Sequence, residues 1–447
     1  MTPGHRRSVM IGRAVVAGPC IFALCSASSF AQKPPAVRQI GPLERATTDS
    51  LASAATAVPM PDGRVFVNDI KGRRLLLLDS TLAHPIVVAD TTGATGQAYG
   101  RQAGTLIRYR ADTALFIDIA SLSMLVIGPS GNIVRVLAIP RPDDAQHLIG
   151  SVFGLPGYDA RGRLIYHAAA GMEGTFILCC VGTSRIGDGT ERTRQVPKPD
   201  SAFLVAVDPA TRAPDTVATI RIEYNKQHVN MDEQGYVQSI ETDRVPMPIV
   251  DGWAVTPDGS LAVVRGRDYH VDWMDANGRW TSSPKMPFDW RRLDDAQKLA
   301  IIDSSAKAEQ AAMERNAVTR AAQLAARSPA VGGGRGGGRG GGGGAGGPAR
   351  AEIPLIAGRV DLSDIPDYAP PFAEGAVYAG TDDNLWILTT ALVDGRPVYD
   401  VVNRRGELFD RVQLPPFRTI AGFGPGVIYM AVKDSTGAVH LERARAR

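Results

Sequence analysis

The stretch MPDGRVFVND, residues 60–69, decides the fold, because TPDGSLAVV at 256–264 repeats its pattern. In each, Pro-Asp-Gly hands the chain to a short apolar run. Aspartate accepts local backbone hydrogen bonds and glycine takes positive φ without steric penalty, so both copies dictate a tight turn feeding a β-strand. Two such corners far apart in one chain imply a repeated unit.

Working outward from these corners, the unit is four short strands. The first copy reads RVFVNDI, RRLLLLD and HPIVVAD after an opening strand near Ala54; the second reads GTLIRY, ALFIDI, SMLVIG and IVRVLAI. A third runs from SVFGLP to DTVATIRI, a fourth from GWAV to RWTSSPK, a fifth from GAVYAG to ELFDRVQL and a sixth from RTIAGF to AVHLERARAR. Apolar runs of four to seven residues between Gly, Asp, Asn and Pro are strand and turn signals. Six four-stranded antiparallel units predict an all-β, six-bladed β-propeller, in which radial repetition leaves only short sheet edges. The sixth copy ends after its third strand, and AVRQIGPL at 36–43 precedes the first. The expectation is that this N-terminal segment supplies the missing outer strand of the last blade.

First strands begin near 54, 102, 152, 251, 372 and 419, and the uneven spacing locates three insertions: 171–201, 224–250 and 290–370. Strands alternate in direction, so all three connections emerge on one face, which loop elaboration marks as the binding face. Residues 293–327 are rich in Ala, Glu, Lys, Gln and Arg, with Leu299, Ile302 and Ala306 at helical spacing, and predict one or two helices. The following VGGGRGGGRGGGGGAGGPAR is mostly glycine, has too few apolar side chains to build a core and reads as a flexible linker. The implied organisation is a signal segment at 1–31, blades one to four with the closing strand in 32–289, a helical and Gly/Arg-rich insertion at 290–350, and blades five and six in 351–447.

The first thirty-one residues combine Arg6 and Arg7, an apolar middle and the small residues Ser29 and Ala31 before Gln32, an export signal with a twin-arginine-like start. Periplasmic or extracellular residence is expected. Cleavage would remove Cys20 and Cys25 and leave the neighbours Cys179 and Cys180, so no disulfide framework is implied. Of 447 residues, 44% are apolar and 21% charged, and the net charge is +3. Nothing in that balance steers the chain toward nucleic acid, and no membrane span is expected after cleavage. A monomer is the expected state.

No Gly-x-Ser-x-Gly, Walker loop, His-Glu-x-x-His or Cys-x-x-Cys occurs, so the sequence assigns neither a cofactor nor a metal. Candidate ligand-binding residues come from position instead. His167, Asp69, Asp118 and Asp268 fall near the ends of second strands, toward the insertion-bearing face, where they could hold a cation or polarise a substrate. The competing role for the aspartates is to cap turns. Trp253, Tyr368, Phe372 and Glu374 fall at first strands or the long crossing loop and could line a pocket mouth; the aromatic ones could equally fill space between blades.

The stretches DGWAVTPDGSLAVVRGRDYHVDW (251–273), MPFDWRRLDDAQK (286–298) and IPDYAPPFAEGAVYAGTDDNLWI (365–387) resemble a family of uncharacterised exported bacterial six-bladed β-propellers, distant relatives of the NHL and TolB-like propellers. Some related propellers are gluconolactonase-like hydrolases, streptogramin lyases or peptidyl-hydroxyglycine lyases. The metal-ligand spacing of the first and the paired histidines of the lyases are not found here, so the resemblance implies architecture and assigns no catalytic residue. The leading expectation is a binding or scaffold protein that takes a protein, peptide or glycan on its inserted face; the alternative is a hydrolase or lyase using a cation near the central channel.

Overall fold

The computed structural model describes residues 33–54, 56–110, 112–150, 154–169, 193–196, 199–327, 355–358 and 360–447. The expected signal segment at 1–31, Cys179, Cys180 and the Gly/Arg-rich run lie outside the described residues. Contacts divide the chain between Lys33 and Pro34, and every described strand belongs to the second unit, Pro34–Arg447.

Two short strands open the chain, β1 (Val37–Gln39) and β2 (Leu43–Ala46). Then β3 (Thr56–Pro59), β4 (Val65–Asp69), β5 (Arg74–Leu78) and β6 (Ile86–Ala89) form one antiparallel sheet. A second contains β7 (Thr105–Arg108), β8 (Ala114–Asp118), β9 (Ser123–Ile127) and β10 (Ile133–Ala138). The chain continues through β11 (Gly157–Tyr158), β12 (Leu164–Ala169), β13 (Thr193–Val196), β14 (Ser201–Val207) and β15 (Pro214–Arg221). Of these, β11, β12, β14 and β15 make the third sheet. After β16 (Asn225–Met231) and β17 (Val237–Arg244), a fourth comprises β18 (Gly252–Val255), β19 (Leu261–Arg265), β20 (His270–Met274) and β21 (Trp280–Ser282). Helix α1 (Asp295–Arg327) and β22 (Leu355–Ala357) precede β23 (Phe372–Ala379), β24 (Leu385–Val393), β25 (Arg396–Val402) and β26 (Leu408–Gln413). Last come β27 (Arg418–Gly424), β28 (Val427–Lys433) and β29 (Val439–Arg445).

The two Pro-Asp-Gly corners share one hydrogen-bonding pattern. Met60 N–H donates to Arg64 O at 2.8 Å and Thr256 N–H to Ser260 O at 2.9 Å. Asp62 and Asp258 each accept the amide two residues on at 3.0 Å, and Gly63 and Gly259 have φ of +88° and +82°. Each turn returns a first strand into a second.

Strand alternation explains the run RLLLL. Leu75 and Leu77 enter one apolar cluster with Phe116 and Leu106 of the next sheet, whereas Leu76 and Leu78 enter another with Tyr429 and Leu441. A sheet covered on both faces reads as a continuous apolar run rather than an alternating one. The same pairing of faces recurs: Leu115 and Ile117 meet Leu164 and Val207, Ile165 meets Trp253, Val264 meets Phe372, and Val401 meets Ile428. Successive sheets are thus cemented to one another, and the last of them to the first. This is a β-propeller arrangement.

Two features depart from the sequence expectation. AVRQIGPL does not supply one outer strand: Gly41 and Pro42 break it, β1 pairs in parallel with β26 as a fifth strand on that sheet, and β2 takes the antiparallel place beside β29. The ring is closed by Leu43–Ala46, at a position later than expected. The insertions also contribute a sheet of their own, in the order β13-β16-β17-β22. It draws one strand from 171–201, two from 224–250 and one from 290–370, with β22 parallel to β17.

The long insertion is pinned at its base. Leu293 N–H donates to Asp367 O at 2.8 Å, Ala369 N–H to Arg291 O at 3.0 Å, and Arg292 and Tyr368 form an antiparallel bridge. Asp294 begins α1 with a reciprocal cap: its carboxylate accepts Gln297 N–H at 2.8 Å while the Gln297 side chain accepts Asp294 N–H at 3.0 Å. The buried Lys298 ammonium then reaches Asp367 at 2.7 Å. No helix among the described residues is long and apolar enough to cross a membrane.

Candidate functional site

First strands of all the propeller sheets converge on one cavity of about 340 Å³. Its wall is made by residues 56–59 of β3, 106–109 at β7, 155–158 at β11, 253–257 at β18, 377–381 at β23 and 420–423 of β27. At the end where first strands begin, a narrower recess is lined by His167, Trp253, Glu374, Asp251, Gly154 and Val377, among others. The structure therefore brings together three of the candidate residues, His167, Trp253 and Glu374.

Each reaches the mouth for a local reason. His167 is the fourth residue of β12 and pairs in register with Leu204. Trp253 occupies β18, with its indole packed so closely on Gly154 that this glycine, at φ +95°, leaves no room for a Cβ. Glu374 stands on an irregularity: register between β23 and β24 slips between Phe372 and Val377, and Gly375 turns the chain at φ +73°. Such bulges re-aim side chains that a regular strand would send to a sheet face.

Electrostatics separates the two titratable groups. Burial, helped by the neighbouring His147 ring at 6.0 Å, pushes His167 down to about 4, so it is neutral at pH 7. Burial and the like charge of Glu223 push Glu374 up to about 7. Neither Glu374 nor Glu223 has a hydrogen-bond or cationic partner among the described residues. Asp251, the third acidic group of the recess, is already used: it accepts Arg221 N–H at 3.0 Å, Gly266 N–H at 3.1 Å and the Arg265 guanidinium at 2.9 Å.

The other candidates are placed elsewhere. Asp69 is fully buried and accepts the amides of Ala52, Ser53 and Gly72 and the Arg74 guanidinium at 2.7–3.1 Å. Asp118 accepts Ala120 N–H at 3.2 Å and the Ser121 hydroxyl at 2.5 Å. Asp268 pairs with His270 at 2.8 Å and Lys285 at 3.4 Å. Tyr368 is half exposed at the base of the long insertion, and Phe372 is buried against Tyr269. Among the described residues no three His, Cys, Asp or Glu side chains converge as a metal site would require. Sequence reasoning missed Glu223, whose signal is only its position just after the last strand of the third sheet.

No protein-family model matches the chain, and no curated protein matches it. Among solved structures, a catalytically inactive variant of virginiamycin B lyase from Staphylococcus aureus, solved with quinupristin, is 11% identical, with 90% of this chain and 98% of that one covered and a TM-score of 0.36. A putative exported protein from Bacteroides fragilis is 8% identical over 92% and 95% of the two chains, with a TM-score of 0.37. A putative gluconolactonase is 9% identical over 92% and 95%, with a TM-score of 0.36. At such scores the strand order of the chain itself, and not these likenesses, carries the fold.

Proposed function

We propose that this chain is an exported, monomeric, six-bladed β-propeller binding protein whose insertion-bearing face receives a peptide or protein segment that brings a positive charge to the channel mouth. The observation that carries this reading is Glu374: a half-buried carboxyl beside Glu223, raised on a bulge at the mouth, with no cationic partner of its own among the described residues. An ammonium or guanidinium arriving there would relieve the repulsion between the two carboxylates. The sheet woven from the three insertions hangs from the same region, because residues 222–224 and 245–251 tether it to neighbouring propeller strands. Four hydrogen-bonded strands offer a broader docking platform than separate loops would.

Calorimetric titration with short peptides tests the reading. A free amino terminus or lysine should bind better than its acetylated counterpart, and binding should strengthen between pH 5 and pH 8 as Glu374 ionises. Glu374→Gln should abolish that pH dependence. Equal binding of free and acetylated peptides at every pH would overturn the role of the carboxylates.

The rival reading, a hydrolase or lyase, draws on the same residue, since a carboxyl that changes charge near pH 7 is suited to proton transfer. A Glu374→Gln variant that binds ligand but fails to turn it over would favour it, as would stoichiometric calcium or zinc in the purified protein.

A further inference from the structure

The axial cavity has a second chemical identity, away from the carboxylates of its mouth. Among the described residues lining its 340 Å³, Arg108 is the one charged side chain. It ends β7, so it stands toward the face opposite the insertions. Arg108 has no hydrogen-bond or ion-pair partner among the described residues. Its side chain keeps contact with solvent through the open cavity, while the protein around it pushes the guanidinium below its usual value by desolvation. A guanidinium stays charged under any physiological condition and carries five N–H donors in a rigid fork that matches a carboxylate.

The wall beside it is aromatic. Tyr109, the next residue, meets Tyr158 edge to face with ring centroids 5.1 Å apart, and Trp253, Tyr378 and Phe423 complete the lining. The Tyr158 hydroxyl is buried and makes no hydrogen bond. A cavity of this volume falls in the range that encloses a small organic molecule, and an apolar wall with a few polar groups is the usual composition of such a site. The unsatisfied phenol is costly to leave unmatched, and the solvent-touching guanidinium is free to take an anion that enters the cavity.

We propose that the axial cavity binds a small organic carboxylate with an aromatic or apolar body, its carboxylate held bidentately by Arg108 and its body lying against Tyr109, Trp253, Tyr378 and Phe423. The site is independent of the peptide reading given above. It lies inside the ring, needs an anion instead of a cation, and uses none of the mouth carboxylates.

The test uses the full chain with indole-3-acetate and phenylacetate as probes, and with indole-3-acetamide and phenylacetamide as uncharged counterparts, followed by calorimetry or saturation-transfer NMR. Either carboxylate should bind at least tenfold more tightly than its amide, and Arg108→Gln should erase that difference. Because Arg108 has no partner to lose among the described residues and keeps contact with solvent, Arg108→Gln should fold with little change in the midpoint of thermal unfolding of the ligand-free protein. Arg108→Lys should retain part of the preference, since it keeps the charge and loses the fork. Glu374→Gln should leave carboxylate affinity unchanged, which separates failure here from failure of the peptide reading. No detectable binding of either carboxylate at millimolar concentration, equal affinity for acid and amide, or an undiminished preference in Arg108→Gln would each overturn the proposal.

Discussion

A Cβ added to Gly154 would stand 2.7 Å from Cε2 of Trp253, so this glycine and this tryptophan are mutually required at the cavity mouth. The glycine also sits at φ +95°, where L side chains are strained. Gly154→Ala should therefore destabilise the protein by about 2 kcal/mol or more through combined strain and overpacking. Urea unfolding followed by tryptophan fluorescence measures it, and unchanged stability would show that the mouth is loosely packed.

Asp69 is expected to act on stability and not on ligand binding. Its carboxylate satisfies three amides and a guanidinium, so Asp69→Ala leaves several donors unmatched at a buried site and should cost about 3 kcal/mol. A variant that folds with near-normal stability but loses ligand affinity would place Asp69 in the site instead of in the turn.

Glu374 and His167 should give the stability curve opposing slopes. The carboxyl of Glu374 is raised from 4.5 to about 7, so the folded state holds its proton longer than the unfolded chain and stability falls as pH rises from about 4.5 to about 7. His167 is lowered from 6.5 to about 4, so the unfolded chain takes up a proton first and stability falls as pH drops through that window. Glu374→Gln should gain roughly 1–2 kcal/mol at pH 8, a figure reduced for its partial exposure to water. His167→Gln should flatten the acid limb between pH 6.5 and pH 4. Denaturant midpoints across pH read both, and slopes of the opposite sign would refute the burial argument.

Lys298 should hold the long insertion down without holding the ring together. Removing the buried ammonium as Lys298→Ala frees Asp367, which is itself exposed, and loosens the start of α1. Hydrogen exchange should rise at 293–302 and 360–369, where the pair of Lys226 with Asp364 at 2.9 Å and the backbone bonds of Leu293 and Ala369 are left to hold the base. Amides of 65–78 should be unaffected, and faster exchange there would mean that the insertion and the ring unfold as one unit.

The parts legible in the sequence were those whose physics is local. Pro-Asp-Gly fixes a turn by itself, and RLLLL is unambiguous because each leucine is covered on whichever face it points to. The helix announced itself through its composition and through the helical spacing of Leu299, Ile302 and Ala306, whereas its Asp294–Gln297 cap was found only in the structure. The composite sheet did not, because its strands carry Gln227, Asn230, Gln238 and Thr242 in place of an apolar run, and their pairing depends on segments from three insertions meeting. The mouth shows the same divide. His167 and Trp253 could be placed by counting strands, whereas the effect of Glu223 on Glu374 crosses from one propeller sheet to another and leaves no trace in linear spacing. Arg108 escaped notice because a single basic residue ending a strand reads as ordinary surface until the strands close around it.

The pairing of Leu43–Ala46 with Ala444, Arg443 and Glu442 joins residues from distant parts of the polypeptide. A strand made early in synthesis must therefore wait, unpaired, until translation has passed Ala444. Every other propeller sheet can form before that moment, but the circle cannot latch, and a truncation that removes 439–445 should leave it permanently open.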